Sequence, residues 1–157
     1  MLTVLGAQAA VAIESPVVVI GGGSVAFDAA RTARRRGATS VTILAPESRS
    51  ALPVAVEELH DAEQEGIAVR TAVGVREIVG ATPTSRSATH VVLSPVRSLH
   101  DAQGRFRMEL NDARVELPVG SVIFAVGQRT DDGGFAGMPC AVAGTLRTTA
   151  CAGASCQ

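Results

Sequence analysis

Residues 15–26 read Ser15-Pro16-Val17-Val18-Val19-Ile20-Gly21-Gly22-Gly23-Ser24-Val25-Ala26, an apolar run that ends on three consecutive glycines. A run of β-branched residues without polar alternation suits a strand covered on both faces, as in a parallel sheet. The next stretch is rich in Ala, carries Arg34, Arg35 and Arg36 at its end and meets Gly37. It predicts a helix with cations at its negative end and a glycine stop. Ser40-Val41-Thr42-Ile43-Leu44 predicts a second buried strand. Strand, glycine turn, helix and strand compose a βαβ unit, whose crossover is right-handed.

Past this unit the α/β pattern continues as far as residue 79 and then turns β-rich. A second helix is expected from Pro53 to Gly66, with Val56, Leu59 and Ala62 on one face and Glu57, Glu58, Glu63 and Glu65 on the others. Short strands are expected over residues 67–71, 73–79, 89–96, 105–110 and 114–117, the later ones separated by turn chemistry at Asp101-Ala102-Gln103-Gly104 and Asn111-Asp112, which suggests an antiparallel meander. Residues 121–126 return as an apolar strand before Gly127. The fold class expected is α/β, a Rossmann-like parallel sheet with helices and an antiparallel three-stranded meander. Residues 1–14 are an N-terminal extension, 15–130 the domain, and 131–157 a loosely anchored tail.

Composition narrows the function. At 157 residues and 46% hydrophobic content, the chain suits one domain with a substantial core. With four Phe and neither Trp nor Tyr, it lacks the aromatic platforms on which single-stranded nucleic acids stack. A net charge of −1 gives no electrostatic case for nucleic acid or an anionic membrane. All fourteen basic residues are Arg, which excludes a Walker-type phosphate lysine and a Schiff-base lysine. No apolar stretch approaches the ~20 residues of a membrane span, and residues 1–13 lack the cations of a secretory signal. Three late Cys form no disulfide framework, so a reducing, cytoplasmic setting is expected.

The glycine turn carries the chemistry. Gly21-Gly22-Gly23-Ser24-Val25-Ala26 satisfies G-x-G-x-x-A in the strand-to-helix context that gives this pattern meaning. Gly21 permits the tight turn, Gly23 lets a pyrophosphate approach the backbone, and Ala26 lets the helix pack near the strand. The N–H groups and positive dipole end of the helix receive the phosphates. A glycine-rich turn that binds nothing is the plainer alternative. S-adenosylmethionine methyltransferases are a third reading, since they use a similar turn. The ribose should meet the segment after the second strand, Ala45-Pro46-Glu47-Ser48-Arg49. An acid there accepts hydrogen bonds from ribose hydroxyls, whereas an arginine binds a 2′-phosphate. Glu47 and Arg49 offer one of each, with a solvated loop charge as the alternative for Glu47.

Other polar groups have structural readings. Arg34, Arg35 and Arg36 compensate a helix dipole. His60, His90 and His100 are not spaced as metal ligands, and Glu57 and Glu58 are adjacent and so face different directions on a helix. Cys140, Cys151 and Cys156 lack a fourth ligand, which favours ordinary thiols; no metal is expected.

The stretches 17–34, 41–43, Ser48-Arg49 and Val122-Ile123-Phe124-Ala125-Val126-Gly127-Gln128-Arg129 resemble the NAD(P)H-binding domain of the glutamate synthase small-subunit type, in the FAD-dependent pyridine nucleotide-disulfide oxidoreductase superfamily. The resemblance implies an NAD(P)H domain inserted within an FAD domain, with hydride passing from nicotinamide to flavin and electrons often continuing to iron–sulfur clusters. It implies that residues 21–26 take the pyrophosphate and that Gly127 and Gln128 lie near the nicotinamide half. Two departures stand out. Where the family commonly carries paired arginines for the 2′-phosphate, this chain has Pro46 and Glu47 and keeps Arg49, so NAD(H) is expected to be tolerated or preferred. The flanking flavin motifs are also missing from these residues. The chain is thus expected to hold the dinucleotide, to depend on flavin bound by absent or partner segments, and to be inactive alone; a non-catalytic nucleotide-binding module or truncated gene product is the alternative.

Overall fold

The computed structural model describes residues 13–82 and 88–127, together with two short strands further on. Four parallel strands form the central sheet: β1 (Val17–Ile20), β2 (Val41–Leu44), β3 (Ala68–Arg70) and β8 (Ser121–Phe124), in the order β3-β2-β1-β8. Val17, Val18 and Val19 are buried, as are all four residues of β2. Alternation then divides them between two cores. Val17, Val19, Val41 and Ile43 face the helices, while Val18 and Leu44 face a second sheet.

The helical layer consists of α1 (Ser24–Arg35) and α2 (Val56–Gln64). Ala26, Phe27, Ala30 and Ala33 are the buried face of α1, and Leu59 and Ala62 that of α2. Alanine lets α1 lie close to the sheet, and Phe27 fills the volume the small residues leave. Both helices end in a Schellman geometry: Gly37 N–H donates to Arg34 O and Ala38 N–H to Ala33 O, and the same pattern joins Gly66 to Glu63 and Ile67 to Ala62. Gly37 (φ +97°) and Gly66 (φ +76°) supply the left-handed residue this motif needs. The glycine stops expected from sequence are thus physical caps. Arg31 of α1 binds Glu65, just past α2, through Nε at 2.8 Å, tying the two helices together.

The opposite face of the parallel sheet is covered by β4 (Val73–Gly80), β5 (Ala88–His100), β6 (Phe106–Leu110) and β7 (Val115–Pro118). Antiparallel β5 is central, with β4 along one edge. β6 pairs with the later half of β5 and β7 with its earlier half, so β6 and β7 make one interrupted third strand of a meander. Ser94, 1% exposed, holds the interruption: its Oγ donates to Ala113 O at 2.6 Å and accepts from Arg76, which also donates to Asn111 O. Val91, Leu93 and Val119 from this layer meet Val18 and Leu44 of the parallel sheet in the second core.

Most strand ends differ from the sequence reading by a residue, and three boundaries stand out. The helix expected from Pro53 starts at Val56, because after a 3-10 turn at Arg49–Ala51 the chain bends at Pro53 and Val54, with Leu52 and Val54 packed against the first core. β5 runs further than 89–96, and β8 ends at Phe124. Beyond residue 127, β9 (Ala141–Val142) and β10 (Thr145–Leu146) form an antiparallel pair in a separate unit. The rest of the expected tail lies outside the described residues.

Candidate functional site

In the parallel sheet, β2 and β3 lie on one side of β1 and β8 on the other. Strand order therefore reverses between β1 and β8, which opens a crevice at their carboxyl ends, the usual ligand position in an open α/β sheet. Ile20 is in register with Phe124, so Gly21 and Ala125 leave the sheet side by side.

The three glycines there have different physical reasons. Gly21 donates to Leu44 O at 2.9 Å and sits at φ +141°; a Cβ on it would lie 2.3 Å from Ala125 O. A Cβ on Gly22 would lie 2.5 Å from Glu47 Oε2 and 3.1 Å from Ala45 Cβ. Gly23 has nothing within 4 Å of its Cβ position and an ordinary extended backbone as the N-cap of α1. The fold explains Gly21 and Gly22 but demands nothing of Gly23.

The helix start lacks a cap of its own, although the Glu58 carboxylate of α2 stands beside Ser24. No side chain caps α1, and its first turn contains no acid. The positive end of the helix thus lacks an internal counter-charge in that turn. Ser24 Oγ donates to Glu58 Oε2 of α2 at 3.1 Å, Val25 is 67% exposed, and Ala26 is fully buried against the sheet.

Beyond β2, the Glu47 backbone carbonyl accepts from Ala72 N–H at 2.7 Å. Its side chain turns back over Gly22, and Oε2 is buried without a hydrogen-bond partner. An unpaired buried acceptor is costly, and more so when charged. Arg49 behaves differently: its Nη1 and Nη2 donate to Glu63 Oε1 and Oε2 at 2.7 and 2.8 Å. Hydrogen bonding from Arg49 holds the Glu63 carboxyl below its ordinary range. Beside this pair is an open cavity of about 630 Å³ between residues 48–50 and the Val56, Leu59 and His60 side of α2.

Gly127, exposed and at φ +96°, lies three residues beyond β8 on the same carboxyl edge. Gln128 lies outside the described residues, as do the three cysteines. The structure thus gathers Gly21, Gly22, Gly23 and Glu47 around one loop and directs Arg49 to α2.

Elsewhere, Arg34 donates to Ala38 O, Thr39 O and Glu65 O, a helix-end role. His60 pairs with Gln64 at 2.8 Å, and His100 packs edge-on to Phe106. Among the described residues no cluster of three or more His, Cys, Asp or Glu could hold a metal, and no helix is long and apolar enough to cross a membrane. Sequence reasoning missed Glu63 as the partner of Arg49. Its signal was one more acid on an acidic helix, with no local spacing to single it out.

The family model for pyridine nucleotide-disulphide oxidoreductases matches residues 3–151. The NADP(+)-dependent formate dehydrogenase subunit beta of Moorella thermoacetica is 33% identical over 115 residues, 73% of this chain and 16% of that protein. The putative glutamate synthase [NADPH] small chain of Cereibacter sphaeroides is 51% identical over 51 residues, 32% of this chain and 12% of that protein. The chain therefore spans only a small part of the curated relatives it matches. Among solved structures, FprA of Mycobacterium tuberculosis in complex with NADPH has a TM-score of 0.57 at 20% identity, covering 72% of this chain and 39% of that one. Thioredoxin reductase of Lactococcus lactis has a TM-score of 0.53 at 24% identity, covering 71% of this chain and 31% of that one. These two likenesses show the fold, with its parallel sheet, helices and antiparallel layer. Because the family model spans nearly the whole chain, the protein belongs to the pyridine nucleotide-disulphide oxidoreductases, a family that works with NAD(P)H and FAD.

Proposed function

We propose that residues 15–127 are the NAD(P)H-binding part of an FAD-dependent oxidoreductase, with the flavin held on flanking or partner segments. The observation that carries this reading is the juxtaposition of Gly23, open where a Cβ would stand, with the uncapped start of α1 and the unpartnered Glu47 Oε2. These three features suit the parts of one dinucleotide. The N–H groups of the first helical turn bind and orient the pyrophosphate, approached across Gly23. The Glu47 carboxylate, turning out from over Gly22, accepts hydrogen bonds from the adenine ribose hydroxyls. Gly127 keeps the nicotinamide end of the crevice free of side-chain bulk, and Gln128 follows it.

When bound, the reduced nicotinamide supplies a hydride to the flavin; the residues here hold and aim the coenzyme and perform no covalent step. The relatives named as subunits support a partner protein, and an iron–sulfur protein is the class this reading favours. Calorimetric titration with NADH, NADPH, FAD and S-adenosylmethionine tests the proposal. A pyridine nucleotide should bind with one-to-one stoichiometry, without bleaching of added FAD in the absence of another protein. Binding of S-adenosylmethionine with no response to either nicotinamide coenzyme would overturn it.

A further inference from the structure

Resting on this dinucleotide reading, we propose that Glu63 sets coenzyme choice by holding Arg49 against α2, leaving Glu47 to make the site selective for the coenzyme without a 2′-phosphate. Beyond β2 there are two ways to meet the ribose. A carboxylate takes the free hydroxyls, and a guanidinium takes a phosphate in their place. Here the carboxylate is not committed to a protein donor: Glu47 Oε2, packed over Gly22, has no hydrogen-bond partner. The guanidinium is occupied, since both terminal nitrogens of Arg49 meet both oxygens of Glu63 in a fork-to-fork pair.

The two arrangements reinforce each other. A 2′-phosphate brought to this segment meets the negative charge of Glu47, and the neighbouring arginine must first give up a carboxylate. Glu63 also remains beside Arg49 as a competing anion. NADH encounters neither obstacle. The ion pair itself is partly exposed, at 56% and 36% for the two side chains, so it opposes phosphate binding by a modest factor. Glu63 is therefore a positioning residue acting through Arg49, while Glu47 makes the direct contact.

The experiment is titration of NADH and NADPH into the full chain and into Glu63→Gln, Arg49→Ala and the double variant, with thermal unfolding checked for each. The unaltered chain should bind NADH about tenfold or more tightly than NADPH, a ratio within the range of a charged contact made or refused. Glu63→Gln should strengthen NADPH binding by roughly three- to tenfold and leave NADH unchanged, as expected for releasing an exposed ion pair and removing one negative charge. Arg49→Ala combined with Glu63→Gln should abolish that gain, which a general loosening of α2 would not do. An unchanged coenzyme ratio in Glu63→Gln, or NADPH bound more tightly by the unaltered chain, would overturn the inference while leaving the dinucleotide reading standing. Failure of both coenzymes to bind would overturn the two together.

Discussion

At the scale of single residues, three adjacent glycines separate the demands of folding from those of binding. Gly21→Ala drives a Cβ into the Ala125 carbonyl at a positive φ, with backbone on both sides of the clash. It should cost about 2–3 kcal/mol, seen as a lower denaturation midpoint with unchanged slope. Gly23→Ala meets nothing in the protein. It should cost less than ~1 kcal/mol of stability yet, on the proposed reading, weaken dinucleotide binding by roughly tenfold or more, because the new methyl would stand where the pyrophosphate is proposed to approach. Equal losses of stability in the two variants would remove the distinction. In the core, Phe27→Ala empties the largest side chain beneath α1 and should cost about 3–5 kcal/mol in chemical denaturation. The glycine turn between β1 and α1 was legible from sequence because strand, glycines and helix are contiguous in the chain. Glu63 was not, since its partner Arg49 lies across a turn and a helix start that periodicity does not place.

At the scale of elements, strands covered on both faces announced themselves as apolar runs, and the caps of both helices as Arg-rich or Glu-rich turns ending in Gly. The start of α2 was misread because Pro53 is compatible with a first helical turn as well as with the bend that docks Leu52 and Val54. The interrupted third strand reads as two unrelated fragments in sequence; its unity comes from sharing one edge of β5. Ser94 joins the fragments through a buried hydroxyl with no local signature. Ser94→Ala should leave Arg76 and the Ala113 carbonyl without that partner and cost about 1–3 kcal/mol. Hydrogen exchange should quicken first around Asn111 and Ala113, while protection of β1 and β2 persists.

At the scale of the molecule, arginine–carboxylate pairs link α1 to the end of α2 and the 3-10 turn to α2, and a third closes the turn between β5 and β6. Hydrogen bonding from Arg31 depresses the Glu65 carboxyl, Arg49 does so for Glu63, and the Arg105 backbone and side chain, with the Gln103 backbone, for Asp101. A carboxyl lowered in the folded state stabilises most above its unfolded pKa, about 4 for these groups, and loses that contribution as pH falls through the lowered value. The melting temperature should therefore hold steady from about pH 7 to about pH 5 and decline in more acid solution. Glu65→Gln should flatten part of that decline; an unchanged acid slope would deny the pair a role.

The contact between Gly21 and the Ala125 carbonyl also has a meaning in time. The two residues meet in space but bracket nearly all of the described domain, so the crevice has only one wall until β8 pairs with β1. A nascent chain emerging from the ribosome presents the glycine turn early and cannot complete the pocket around it until its last parallel strand has been synthesised. Coenzyme is then expected to stabilise the domain only after that last parallel strand has been made.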